Sequence, residues 1–338
     1  MTQTSRIPLS VLDLSPIVQG GSIPQTFAHS RELALLAERL GYCRYWLAEH
    51  HSMEGIASSA TAVLIGYIAG ATQKMRVGAG GIMLPNHSPL TIAEQFGTLA
   101  SLYPDRIDLG LGRAPGTSQE TALALRRDDH DSARNYQANV HELQGYFGED
   151  TPERVIKAVP GQGLNVPIWL LGSSLYSAQL AAHMGLPFAF AAHFAPDLLM
   201  QALEVYRREF RPSPSLHKPY AMICLNVIAA DTHLQAERLF SSLQLHFASM
   251  LRGNPGALPP PVDDITQVLA KHELYSVNHT LSLSIVGDKE DVRDGLQNLL
   301  QETGIDEIMI NGQIFDHQAR LRSFELIADI APELDSVS

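Results

Sequence analysis

Apolar residues recur along this chain in two alternating rhythms. Short, nearly continuous apolar runs occupy residues 7–14, 42–48, 75–84, 107–111, 167–171, 188–192, 219–230 and 307–311. Between them lie longer stretches with apolar residues at helical spacing. Leu33, Ala34, Leu36, Ala37 and Leu40 form one stripe within 30–40, and Leu90, Ile92, Ala93, Phe96, Leu99, Ala100 and Leu102 form another. Further helices are predicted over 58–71, 132–147, 176–184, 196–210, 232–251, 289–302 and 318–330, with a short segment at 282–286 ahead of 289–302.

Continuous apolar strands are those buried on both faces, as in parallel sheets. Eight of them alternating with helices predict an α/β fold, a (β/α)8 TIM barrel forming one domain over 1–338. Two stretches exceed the connections such a barrel needs. Residues 117–160, rich in Arg, Asp and His, and 253–280, containing Pro259-Pro260-Pro261, are read as insertions over the C-terminal face of the strands. The second is expected to be irregular.

Composition narrows the class. A net charge of −12 argues against nonspecific binding to nucleic acid or anionic membranes, which needs basic surface. Cys43 and Cys224 lie far apart and outside any CxxC pair, so neither a disulfide framework nor structural zinc is expected. No apolar run reaches the ~18 residues of a membrane span, and the first eight residues lack an apolar signal core. A cytoplasmic protein is expected.

In an eight-fold barrel the site is built where the strands end. That rule selects Asp13, Ser15, Glu49-His50-His51, Gly80-Gly81, Arg113, Gly172-Ser173-Ser174, His193, Asn226 and Asn311-Gly312-Gln313. Adjacent histidines on a strand point to opposite sides, so one of His50 and His51 can face the mouth and handle protons near neutral pH. The competing reading is ordinary loop polarity, and Glu-His-His lacks the spacing of a zinc helix. Gly172-Ser173-Ser174 opens a helix after a buried strand, which is either a plain cap or, paired with Arg113, a phosphate site.

Gly110 to Gly116 has the wrong spacing for a dinucleotide fingerprint. Gly78, Gly80 and Gly81 either let a flat group approach the backbone or permit an unusual peptide geometry, with simple packing as the competing reading for each. Asp13, Glu49 and Asp108 on neighbouring strands leave glycoside hydrolysis as a weaker alternative.

Several segments together resemble the luciferase-like flavin monooxygenases, (β/α)8 barrels related to bacterial luciferase. They are L-A-E-H-H at 47–51, G-G-I-M-L-P-N-H-S-P-L at 80–90, A-E-Q-F-G-T-L at 93–99, R-I-D-L-G-L-G-R-A-P-G at 106–116, W-L-L-G-S-S-L-Y-S-A at 169–178 and G-Q-I-F-D-H-Q-A-R at 312–320. The resemblance implies FMN, with its phosphate on Arg113, Gly172, Ser173 and Ser174, Tyr176 as a further contact, and His193 in the cofactor-binding set. It places a non-proline cis peptide at Gly80-Gly81 against the flavin ring. It implies that reduced FMN reacts with O2 to a C4a-peroxyflavin, with His50 as base or peroxide stabiliser alongside Glu49, to oxygenate a small organic substrate.

The reductant would come from a separate flavin reductase, since no nicotinamide fingerprint is present, and the family forms dimers through a helical face. Two departures stand out. Gly112 replaces a reactive cysteine of luciferase, and Asp105 stands where the turn usually has Gly. Alternatives are an F420-dependent hydride-transfer enzyme, which wants extra basic residues such as Arg126 and Arg127, and a flavin-binding carrier without turnover.

Overall fold

A computed structural model describes residues 6–114, 118–125, 135–149 and 155–335. β1 (Leu9–Asp13) leads to α1 (Ile23–Leu40), β2 (Arg44–Leu47) to α2 (Thr61–Ala71) and β3 (Arg76–Met83) to α3 (Pro89–Leu102). β4 (Ile107–Gly112) is followed by α4 (Gln119–Leu125), α5 (Tyr136–Phe147), β5 (Ile168–Gly172), α6 (Leu175–Met184), β6 (Phe188–Ala191) and α7 (Leu199–Glu209). The chain then runs through β7 (Ala221–Ala229), α8 (His233–Leu251), α9 (Lys271–Thr280), β8 (Ile285–Gly287), α10 (Lys289–Thr303), β9 (Glu307–Asn311) and α11 (His317–Ile330).

Strands pair in parallel in the order β1-β2-β3-β4-β5-β6-β7-β9, and β9 returns to β1, closing the ring. The predicted (β/α)8 barrel is therefore the observed fold. β8 stands outside the ring and pairs only with Val227, Ile228 and Ala229, the far end of β7.

Side chains alternate across each strand. One set, including Val11, Tyr45, Leu47, Val77, Leu109 and Ile310, packs outward against the helices. The other fills the barrel, where Leu12, Trp46, Trp169, Ala189, Met222, Cys224 and Met309 form an apolar middle layer.

Charge closes the N-terminal end. Asp108 binds Arg44 Nη1 at 2.7 Å, Arg76 Nη2 at 2.6 Å and Trp46 Nε1 at 3.1 Å, while Glu307 binds Arg44 Nε at 3.0 Å and the Tyr220 hydroxyl at 2.9 Å. Asp13 points outward, to Arg320 Nη2 at 2.9 Å and the Tyr45 hydroxyl at 2.5 Å. Asp13, Glu49 and Asp108 thus face three different places, which removes the paired carboxylates that glycoside hydrolysis requires.

Two local expectations change. α1 begins at Ile23 rather than at residue 30, because Ser22 Oγ caps Gln25 N–H at 3.4 Å and Pro24 sits in the first turn. The insertion 253–280 is not irregular throughout. Its α9 is capped by the Glu273 carboxylate, which accepts Ala270 N–H at 3.0 Å, and it lays Val277 and Leu281 against Leu243 and Phe247 of α8.

The start of that insertion does lie against the strand exits. Leu258 exchanges main-chain hydrogen bonds of 2.8 Å with Ile17 and Gln19, just beyond β1. In the first insertion the helix predicted over 132–147 is α5, and residues 132–134 lie outside the described residues, as do Arg126 and Arg127.

Candidate active site

Of the sequence-selected residues, Asp13 is turned outward to Arg320 and Ser15 is buried with its Oγ 3.0 Å from Ser30 Oγ, while the rest lie at the C-terminal ends of the strands. Beyond β2, Glu49 is 1% exposed, and its carboxylate is shared. Glu49 Oε1 accepts from His51 Nε2 and from His87 Nε2, each at 2.8 Å, and Oε2 accepts Met83 N–H at 3.1 Å. Burial opposes ionisation of Glu49, but His87, His51 and the Met83 amide hold its pKa below the ordinary carboxylate value.

An ionised carboxylate only accepts, so both Nε2 atoms serve as donors. The three ligand atoms lie within 4.8 Å of one another, a spacing that a cation could also bridge if both nitrogens turned their lone pairs inward. His50 is half-buried, lies near His193 across the mouth, and donates its main-chain N–H to Ser58 O at 3.1 Å.

On the next two strands the inner wall is bare. Gly80 and Gly81 are joined by a cis peptide bond, as the resemblance implies. A Cβ on Gly80 would sit 2.8 Å from Leu12 Cδ1 and 3.1 Å from Trp46 Cβ, so those side chains would have to give, and one on Gly110 would sit 2.2 Å from Ala79 O, where main chain leaves no room. Asp105 adopts φ 62°, the left-handed conformation expected of that turn.

The wall ends at Arg113, whose exposed guanidinium lies 4.4 Å from the Tyr176 ring centre. Tyr176 stands in the first turn of α6, capped by Ser174 Oγ, which accepts Ser177 N–H at 3.4 Å. A Cβ on Gly172 would meet Ser177 Oγ at 2.3 Å, so the turn into the helix needs glycine there. Behind this pair the Tyr136 hydroxyl donates to Leu111 O at 3.0 Å and braces the end of β4 from α5. A cation stacked on a ring beside free helix N–H groups fits a phosphate, and a side-chain-free wall beside it fits a flat ring.

Across the mouth, His193 follows β6 and packs edge-on against Phe194 at 4.7 Å. Burial pushes its imidazole down to about 4, and the charge of nearby His50 adds to the shift. His193 is therefore neutral near pH 7. Its carbonyl accepts Asn226 Nδ2 at 2.8 Å, and Asn226 Oδ1 accepts Asn311 Nδ2 at 2.9 Å.

A model of the luciferase-like monooxygenase family matches residues 8–307. The chain belongs to that family. A luciferase-like monooxygenase of Escherichia coli K12 is 59% identical over 328 residues, covering 97% of this chain and 98% of the relative. The N-acetyl-S-alkylcysteine monooxygenase of Bacillus subtilis is 32% identical over 332 residues, with 96% and 98% covered.

Among solved structures, apo-MsnO8 superposes with a TM-score of 0.86 at 34% identity, covering 98% of this chain and all of that one. The oxygenating constituent of 3,6-diketocamphane monooxygenase from Pseudomonas putida, solved with FMN, shares the fold at a TM-score of 0.76 and 17% identity, covering 99% of this chain and 100% of that one.

Within this member, sequence reasoning placed His50, Glu49, Arg113, Tyr176 and the α6 start at one mouth. It did not find the Glu49–His87 contact, which spans two strand exits, nor Tyr136 behind Arg113. Both depend on how loops pack rather than on spacing along the chain.

Proposed function

We propose that the chain is the oxygenase of a two-component system, binding FMN reduced by a separate flavin reductase. It would use O2 to place one oxygen atom on a small organic substrate while the other leaves as water. The observation that carries this reading is the meeting of three features at one mouth. These are Arg113 over Tyr176 at the start of α6, the bare wall of Gly80 and Gly110, and the histidine-rich rim around Glu49.

Arg113 and the N–H groups at Ser173 and Ser174 would hold the phosphate, and Gly80 and Gly81 would lie against the ring. The bound flavin supplies the two electrons that activate dioxygen. His50, half-buried and near His193, would give or take a proton at an imidazole nitrogen beside the ring. Glu49 fixes His51 and His87 as donors at the rim. Neutral His193 adds no charge to the opposite side. Segments at the mouth such as the stretch around Leu258 would set the substrate, and the Bacillus relative makes an N-acetylated S-alkylcysteine the first compound to try.

A homodimer would use the outer face of α2 and α3, where Val63 is 72%, Tyr67 45% and Leu102 63% exposed. Sedimentation of the wild type and of Val63→Glu tests this.

The function is tested by parallel calorimetric titration with FMN, reduced FMN and F420. Oxygen uptake with a flavin reductase, NADH and N-acetyl-S-methylcysteine follows. Preference for F420 would move the protein to hydride transfer. FMN binding without turnover of any thioether or related compound would favour a carrier.

A further inference from the structure

The polar groups of the mouth stand on opposite sides of the ring. Arg113 and the start of α6 belong to the β4–β5 side, whereas Asn226 and Asn311 belong to β7 and β9. Each asparagine is 1% exposed. Alternation turns Asn311 inward, because Glu307 and Met309 on the same face of β9 reach the charged floor and the apolar middle layer.

The orientation of the two amides is forced. The His193 carbonyl can only accept, so the Asn226 atom 2.8 Å from it is Nδ2, which also lies 3.2 Å from Ser284 Oγ. Asn226 therefore turns Oδ1 toward Asn311, and the Asn311 atom 2.9 Å away is Nδ2. What remains is Asn311 Oδ1, a buried acceptor with no partner among the described residues.

Main-chain pairing from Met222–Glu307 to Asn226–Asn311 already joins β7 to β9, so the side-chain bridge is not needed to hold the sheet. Leaving a buried acceptor unmatched costs free energy, and the relay prevents the amide from turning over to escape it. His193 Nδ1, beside the same relay, is also buried without a partner among the described residues.

We propose that Asn311 Oδ1 accepts an N–H or O–H from the molecule held in the barrel mouth, and that Asn226 and the His193 carbonyl lock it in that role. Two sources carry such a donor: the imide N–H of a flavin and the amide N–H of an N-acylated substrate. The inference rests on the flavin reading for its first probe only.

The test titrates FMN and N3-methyl-FMN, which lacks the imide N–H, into wild type, Asn311→Leu and Asn226→Ala. It then titrates N-acetyl-S-methylcysteine into the same three proteins. If the flavin is the source, wild type prefers FMN over the methylated form by about fivefold to tenfold. Asn311→Leu abolishes that preference. Asn226→Ala, which frees the amide to turn, reduces it, and this variant carries the test if the leucine variant does not fold.

If the substrate is the source, both flavins bind all three proteins alike, and the cysteine derivative binds Asn311→Leu about tenfold more weakly than wild type. Equal binding by wild type and both variants in both arms overturns the inference and leaves Oδ1 to water. A wild type that ignores FMN overturns the flavin reading instead, and the cysteine arm then decides Asn311 alone.

Discussion

His87 reaches from the β3 exit to place its Nε2 2.8 Å from Oε1 of Glu49 on the β2 exit. The contact ties two adjacent loops of the mouth together through one buried carboxylate, and His51 shares the same oxygen. Neither loop could shift alone without leaving that carboxylate underbonded.

Glu49→Gln should therefore lower stability at pH 7 by about 1–3 kcal/mol, the scale of a buried group left mismatched. Because the hydrogen bonds depress the folded pKa below the unfolded value of about 4.3, the contribution is complete above that value. It disappears as pH falls through the folded pKa. Urea unfolding of both proteins from pH 7 down to pH 3 checks this, and the gap between their midpoints should close at the acid end.

The floor of the barrel makes a different demand. Asp108 is fully buried and answers two arginines and an indole N–H. Asp108→Asn leaves Arg44 and Arg76 undercompensated and should cost on the order of 3–5 kcal/mol, as when one partner of a buried ion pair is removed. FMN affinity of the folded fraction should hold, since the floor is at the opposite end from the mouth. Denaturation and calorimetry on the same preparation separate the two effects.

How much of this was legible in the sequence depended on the range of the interaction. The barrel strands are buried on both faces, so Tyr45 to Leu47 or Ile308 to Ile310 announce themselves as apolar runs. The strand-exit rule then found Glu49, His50 and Arg113 without any contact being known. α9 escaped because Leu274, Val277 and Leu281 are set among Lys, His, Glu and Asn, a stripe that only packing against α8 completes. β8 is three residues long and extends only β7. The Arg44–Asp108–Arg76 floor and the Glu49–His87 pair join residues from separate strands, and a one-dimensional pattern carries no signal for which polar side chains will meet.

Arg113→Ala should weaken FMN binding by roughly 1.5–3 kcal/mol, the range for a hydrogen bond to a charged group. Arg113→Lys should restore only part of this. A lysine keeps the charge but loses the planar guanidinium that lies over Tyr176 and can grip two phosphate oxygens at once. Calorimetric titration reads both variants, and a lysine variant equal to wild type would remove Tyr176 from the argument.

His50→Ala separates binding from chemistry. The imidazole contributes little area to a site whose phosphate end is anchored at Arg113, so FMN affinity should change by less than about threefold, within the ~0.5 kcal/mol typical of a substitution away from a key contact. Turnover with a flavin reductase, measured as product per FMN consumed, should fall by roughly 10²–10⁴, the usual contribution of a positioned proton donor or acceptor. Hydrogen peroxide should account for most of the oxygen used, because flavin oxidation continues when the proton needed for oxygen transfer is missing. His87→Ala supplies the contrast. It removes one of two imidazoles from Glu49 and should lower stability and turnover together, so the unfolding midpoint of His87→Ala should fall along with its rate.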